Sequence, residues 1–153
     1  MRKLLILLLF SSLIVSGCSI EQKKANVKDI IVENVSTTID IKQNGYYTKI
    51  IRTSNELELD LPRMGFSLDT LEVYDSEFFN NRVLLAIIFK TGVSNDVLLE
   101  GINLTNKTAT VKMNIKIPNN VDDLLSNKGI IIEVDREEFS NVSDIKIDLN
   151  SKR

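Results

Sequence analysis

The chain has 153 residues, of which 19 are basic and 21 acidic, and it contains no histidine and a single cysteine, Cys18. This length predicts one domain large enough to bury a core, and the slightly acidic balance argues against a nucleic-acid surface. Without histidine or a second cysteine, the sequence excludes an intrachain disulfide, a Ser-His-Asp or Cys-His nucleophile system and a zinc site of the Cys/His type. We therefore expect no cofactor, no metal and no catalytic residue.

The N-terminus predicts a secreted, lipid-anchored protein. Met1-Arg2-Lys3 is a basic start, and Leu4 to Val15 are apolar apart from two serines. A membrane-spanning helix needs about 20 apolar residues, whereas this shorter run is typical of a secretory signal. Val15-Ser16-Gly17-Cys18 resembles the bacterial lipobox, in which the cysteine is acylated and becomes the first residue of the mature chain. The resemblance implies a signal peptide over residues 1–17 and a membrane anchor at Cys18 on the extracytoplasmic face.

The residues after Cys18 predict a polar tether over 18–26, and a single domain over 27–153. A flexible segment of this length spans roughly 15 Å on average. The domain and its partners are therefore expected close to the membrane surface. The abundance of Asn, Lys and Ile favours a Gram-positive envelope.

From Val27 onward the pattern predicts strands. Strand-forming residues occur at Ile30–Val32 and Thr38–Ile41, and Asn44-Gly45 predicts a turn before a strand at Tyr46–Ile51. Val83–Phe89 is short and continuously apolar, which predicts a strand that is buried on both faces.

The next two strands are predicted to form a hairpin. Val97–Leu104 contains Gly101, which suggests a bulge, and Asn106-Lys107 fits the hairpin turn. Ala109–Ile117 alternates apolar with polar residues and predicts a half-buried strand with Lys112 and Lys116 directed outward. Two further strands are expected at the end of the chain, over 130–134 and 145–149.

Three segments suggest helices. Asp75–Asn80 is expected to be helical with Asp75 as its N-cap, and Val121–Ser126 has acidic residues early, as a helix start favours. Thr53–Leu61 fits either a strand or a short helix. The whole pattern predicts a mainly β or α+β fold, as an antiparallel β-sandwich or a barrel-like sheet with two or three short helices.

Part of the domain resembles a known group. The resemblance lies in Tyr74-Asp75-Ser76-Glu77-Phe78-Phe79-Asn80, the apolar strand over 83–89, the segment Val97–Ile117 and Ile130–Val134. These segments are similar to the small secreted domains of low-GC Gram-positive bacteria that are loosely related to PrcB-like protease-complex-stabilising domains. The resemblance implies a binding or stabilising domain and supplies no catalytic residues. The chain departs from that pattern before the last core strand, where Lys128-Gly129 replaces an aromatic residue.

Tyr46, Tyr47, Tyr74, Lys112 and Lys116 form the candidate interaction surface. The tyrosines could line a binding surface, although alternating neighbours would face the core and solvent in turn. The two lysines lie on a strand whose edge could pair with a partner strand.

Carboxylate pairs are the remaining candidates for chemistry. They are Asp75 with Glu77, Asp122 with Asp123, and Glu137 with Glu138. Solvated or helix-capping roles are expected for them, and the surroundings of Asp122 lack a calcium-loop pattern.

Three functions are compatible with these residues. The first is a membrane-anchored, non-catalytic domain that binds or stabilises another envelope protein. The second is a small lipoprotein that binds a peptide, a glycan or a small molecule, and it requires a closed apolar pocket with a few polar groups. The third is a carboxylate-dependent hydrolase, which requires two acids facing each other across a cleft.

Overall fold

The structure is a computed structural model, and it describes residues 22–41, 45–118 and 124–152. In this part of the chain, two four-stranded sheets pack face to face, and three helices cover the outer face of one of them. The strands are β1 (Lys23–Lys24), β2 (Val27–Val35), β3 (Tyr46–Ile51), β4 (Arg82–Gly92), β5 (Asp96–Thr105), β6 (Thr108–Lys116), β7 (Leu125–Asp135) and β8 (Asp144–Lys152). The helices are α1 (Ser54–Met64), α2 (Leu68–Glu72) and α3 (Phe78–Asn81).

The strand order is β1-β5-β6-β8 in the first sheet and β2-β7-β4-β3 in the second. The predicted β-rich sandwich with short helices is confirmed, and in the described residues the two sheets do not close into a barrel. One pairing differs from the antiparallel expectation: β8 runs parallel to β6, from Thr108 opposite Asp144 to Lys116 opposite Lys152. The reason is that the β7–β8 connection crosses from the second sheet to the first, so β8 is not joined to its neighbour by a hairpin.

Strand β4 lies at the centre of the molecule, as its apolar sequence predicts. Val83, Leu85, Ile87 and Phe89 face the space between the sheets, and the intervening residues face the helices. Every residue of 83–89 is at most 1% exposed. Because alternate side chains of a strand point to opposite faces, a strand between two apolar layers must be apolar at every position.

The β5–β6 hairpin also follows the sequence. The pairing register shifts between Leu99 and Gly101, and Gly101 has φ 153°, which is the predicted bulge. Asn106 occupies the turn with φ 48°, a conformation that asparagine tolerates. Along β6, buried and half-buried residues alternate from Thr108 to Ile115, which confirms the half-buried strand.

The segment 53–61, which fitted either a strand or a helix, belongs to helix α1, and side-chain hydrogen bonds cap the N-terminus of that helix. The Thr53 hydroxyl accepts a hydrogen bond from the Glu56 amide at 3.2 Å, and the Glu56 carboxylate accepts one from the Arg52 amide at 2.6 Å. Side-chain bonds of this kind satisfy amides that lack helical partners. Leu57, Leu61 and Met64 are buried on one face of α1.

Two expected elements differ. Residues 36–41 form no strand: the Thr37 hydroxyl donates to the Arg63 carbonyl at 2.9 Å and accepts from the Ile39 amide at 3.0 Å, and such bonds compete with a sheet ladder. The helix expected over 121–126 is wrong at its C-terminal end, because Leu125 and Ser126 begin β7, opposite Gly92 and Thr91. Residues 121–123 of that helix lie outside the described residues, as does Asn44 of the expected turn.

The segment before Val27 is attached to the domain rather than free over its whole length. Lys23 and Lys24 pair with Leu104 and Asn103 of β5. The Ala25 amide donates to the Ile102 carbonyl at 2.8 Å, and Ala25 is buried. Within the predicted tether, residues 23–25 are therefore part of the sandwich.

Candidate interaction surfaces

The three tyrosines do not form one surface. Tyr46 is exposed, Tyr47 is half-buried and packs against the helix-side core, and Tyr74 is only 4% exposed. The ring of Tyr74 meets Phe78 edge to face, with the ring centroids 4.8 Å apart. Tyr74 is therefore a core residue, and its assignment to an interaction surface is wrong.

The Tyr74 hydroxyl lies in a buried polar cluster. It has no hydrogen-bond partner among the described residues. Burial, followed by the neighbouring carboxylate of Glu133, raises the pKa of Tyr74 well above its ordinary value. Glu133 is itself paired with Arg82 at 2.7 Å, and the Arg82 guanidinium lies 5.8 Å from the centroid of the Phe78 ring. This cluster joins α3 to the second sheet.

The two lysines of the candidate surface lie on an interior strand. β6 is paired with β5 on one side and with β8 on the other. Lys112 is half-buried with Asp148 as its cross-strand partner, and Lys116 is exposed. The proposed edge at Ala109–Ile117 is therefore wrong, because a strand with two neighbours has no free amides to offer. The edge strands of this sheet are β1 and β8.

The clearest apolar surface is the apolar tip, which we define as Val93, Leu124 and Leu125. Their exposed fractions are 43%, 81% and 65%, and the Val93 amide donates to the Leu124 carbonyl at 3.0 Å, so the backbones of the three residues are adjacent. The tip lies near the start of β5, whereas β1 pairs with residues near the end of that strand. Because β5 has ten residues, the tip and β1 are separated by about 30 Å along the strand. Clustered exposed apolar residues mark interaction sites more often than isolated ones do.

A second surface is the open flank, which we define as the outer edge of β8 and the two clefts between β8 and the second sheet. The near cleft, of about 470 Å³, is lined by Ile50, Arg52, Ser143 and Ile145 among others. The far cleft, of about 420 Å³, is lined among others by Phe89, Asn95, Ile115, Leu149 and Ser151. Inside the far cleft, Asn95 is 8% exposed, and its side-chain carbonyl has no hydrogen-bond partner among the described residues.

Two arginines that the sequence did not single out join the loops at the β1 end. Arg52 donates to the carbonyls of Phe139 and Val142 at 3.1 and 2.7 Å. Arg136 donates to the carbonyls of Arg52 and Phe79 at 2.9 and 2.7 Å. The only sequence signal is that each residue directly follows the last residue of a strand. Their role is structural, because they satisfy carbonyls where strands end.

The described carboxylate pairs have structural contacts. Asp75 accepts from the Phe78 amide at 2.8 Å, which is a capping bond to the first residue of α3. The N-cap position itself is Glu77 and the helix covers 78–81, so the helix predicted over 75–80 is wrong at its start. Glu138 forms a salt bridge with Lys23 at 2.8 Å and accepts from the Asn26 amide at 2.9 Å. The Lys23 bond, followed by the Asn26 bond, holds the pKa of Glu138 below its ordinary value.

The described part of the chain contains neither a cluster of metal ligands nor a membrane-spanning helix. Asp122 and Asp123 lie outside it. Within it, no three acidic, cysteine or histidine side chains are grouped closely enough to hold a metal ion. No helix in the same residues has the length and apolar character to cross a membrane.

Cys18, the residue predicted to be acylated, also lies outside the described residues. Comparison of the chain with models of protein families, with curated proteins and with solved structures gave no match.

Proposed function

We propose that the protein is a membrane-anchored lipoprotein whose domain binds or stabilises another envelope protein without catalysing a reaction. The observation that supports this function best is the apolar tip, where two adjacent leucines are 81% and 65% exposed. Burying such side chains against a partner removes roughly 1.5–3 kcal/mol of unfavourable hydration for each one. We propose that the partner is an extracytoplasmic protein that presents an apolar surface to the tip.

The anchor limits where that partner can be. If Cys18 is acylated, the five residues 18–22 connect the membrane to β1, because Lys23 is already paired with β5. Five extended residues span at most about 18 Å. The domain therefore remains close to the bilayer, and so does the protein that it binds.

A non-catalytic function agrees with the side chains. The chain has no histidine, and its one cysteine is the proposed anchor. Among the described carboxylates, Asp75 caps a helix and Glu138 holds β1 to the domain. Both contacts are structural.

The anchor is tested by metabolic labelling of the expressed protein with a palmitate analogue. Wild type should incorporate the label and fractionate with membranes, whereas Cys18→Ala should do neither. Equal labelling of the two proteins would contradict the anchor and with it the distance limit.

The tip is tested by photo-crosslinking in intact cells. A photoreactive amino acid at Leu124 should give a discrete adduct with an envelope protein. The same amino acid at Leu59 is the matched control, because Leu59 is also a surface leucine, 61% exposed on α1. In addition, Leu125→Asp should abolish the adduct without changing the thermal stability. Identical adducts from Leu124 and Leu59, or no adduct at all, would contradict binding through the tip.

A further inference from the structure

Strand β8 has a self-complementary sequence on an open edge. Its central residues are Ile145-Lys146-Ile147-Asp148-Leu149, and within the part of the chain that the structure describes it pairs with β6 on one side only. The outward-facing residues of this stretch are one cation and one anion, placed symmetrically about Ile147. We propose that β8 pairs with β8 of a second copy of this chain, antiparallel and centred on Ile147, so that the two first sheets become one continuous sheet.

This register matches every central pair. Each Lys146 lies opposite Asp148 of the second copy, which gives two cross-strand ion pairs. Each Ile145 lies opposite Leu149 of the second copy, and the two Ile147 residues face each other on the two-fold axis. Opposite charges and apolar pairs placed directly across two strands stabilise a sheet, whereas like charges destabilise it. An isologous contact also closes on itself, so it gives a dimer rather than a filament.

β2, the long edge strand of the second sheet, lacks this symmetric arrangement of charges. β2 ends the second sheet, and the residues about its centre are Asp29-Ile30-Ile31-Val32-Glu33. Antiparallel self-pairing centred on Ile31 places Asp29 opposite Glu33 of the second copy twice, which opposes like charges. If the centre of the pairing is moved by one residue, to Ile30 or to Val32, a carboxylate (Asp29 or Glu33) lies opposite Ile31. Charge complementarity therefore selects β8.

The open flank provides the space for this contact. Ile145 and Ile147 are only half-buried and Leu149 is 36% exposed, although all three lie on the inward face of the sandwich. Ser143 and Ile145 line the near cleft, and Leu149 and Ser151 line the far cleft. In the proposed register, Ser143 lies opposite Ser151 of the second copy. The near cleft of each copy therefore adjoins the far cleft of the other, and the paired strands cover both.

Exchange of the two charges tests the register. Lys146→Asp brings two carboxylates face to face at each cross-strand pair of the homodimer, and Asp148→Lys brings two ammonium groups face to face. Each change alone should therefore raise the dissociation constant of the dimer about tenfold or more. A mixture of the two variants again places opposite charges across the strands. Lys146 has Thr110 as its cross-strand neighbour in the same chain, so its reversal places no like charge directly opposite within the monomer. Asp148→Lys does place a lysine opposite Lys112, so recovery of the dimer in the mixture separates the effect on pairing from this effect within the monomer.

The experiment uses the full acylated chain, co-expressed with two different epitope tags and extracted in excess mild detergent. Wild type should co-purify with wild type, and Lys146→Asp should co-purify with Asp148→Lys. Neither variant should co-purify with itself, while Lys28→Asp on β2 should behave as wild type. Thermal unfolding confirms that each variant is folded. Absence of wild-type co-purification, equal co-purification of all combinations, or failure of the mixed pair to recover would overturn the proposal.

A second measurement does not depend on the charges. Ile147→Cys places a cysteine on the two-fold axis and should form a disulfide-linked dimer in isolated membranes under mild oxidation. Lys112→Cys, on the interior strand β6, is the control and should remain monomeric. Equal crosslinking of both variants would show random collision instead of the proposed register.

Discussion

Gly129→Ala is expected to destabilise the domain by about 1–3 kcal/mol through overpacking alone. Gly129 lies in β7, opposite Ile88 on one side and Glu33 on the other. A Cβ atom at this position would be 2.7 Å from Cε1 and Cζ of Phe66, and closer still to Cγ1 of Val35.

The magnitude follows from how little the neighbours can move. Ordinary contacts of a Cβ atom lie at 3.4–4 Å, so the added methyl requires displacements of about 1 Å in a close-packed region. Phe66 and Val35 are only 5% and 7% exposed, which leaves neither side chain free to swing into solvent. The φ angle of Gly129 is not in the left-handed region, so backbone strain adds nothing to the cost.

Urea unfolding followed by circular dichroism measures the effect, and the melting temperature should fall by about 3–12 °C. Combining Gly129→Ala with Val35→Ala should cost less than the sum of the two single changes, because the second change removes the atom that the new methyl meets. A stability within about 0.5 kcal/mol of wild type, or strict additivity of the two changes, would refute the packing argument.

Two further predictions concern the β1 end of the domain. Arg136→Met should lower the free energy of unfolding by about 2 kcal/mol, because it removes charge-assisted bonds to the carbonyls of Arg52 and Phe79; urea unfolding checks this, and an unchanged midpoint would contradict it. The pKa of Glu138 is lowered in the folded state, so its stabilising effect is complete above its ordinary pKa and is lost as the pH falls through the lowered value. The protection factor of the Asn26 amide against hydrogen exchange should fall over that acidic range in wild type and show no such step in Glu138→Gln; an identical profile for both proteins would count against this linkage.

Local patterns in the sequence predicted most of the strands. The continuous apolar run over 83–89 indicated burial on both faces, and the alternation along β6 indicated burial on one. Both signals depend on side-chain period alone, and both are confirmed. The helix at 54–64 was ambiguous, because Leu57, Leu59 and Leu61 alternate as in a strand. The capping bonds of Thr53 and Glu56 decide for the helix.

Which strands pair with each other could not be predicted from local patterns. The sequence showed that β6 has a polar face, but it could not show that β8 would run parallel beside it and remove its edge. That pairing joins Ala109 to Ile145, and it depends on a crossover between sheets that no local pattern records. The candidate surface on Lys112 failed for this reason.

The apolar tip was missed for a related cause. Leu124 and Leu125 were placed in an expected helix, which would have buried one face, whereas β7 begins at Leu125.

The attachment of β1 has a mechanical consequence. If the chain is anchored at Cys18, any pull between the membrane and a bound partner enters the domain through residues 23–26. These residues are held by two residue pairs with β5, the buried Ala25 and the contacts of Glu138, whereas β2 behind them is paired with β7 from Val27 to Val35. Under load this short segment is therefore expected to detach before β2, which would lengthen the connection by about 13 Å at four residues. If the protein binds a partner as proposed, the pairing of β1 sets how far the domain can follow that partner away from the membrane.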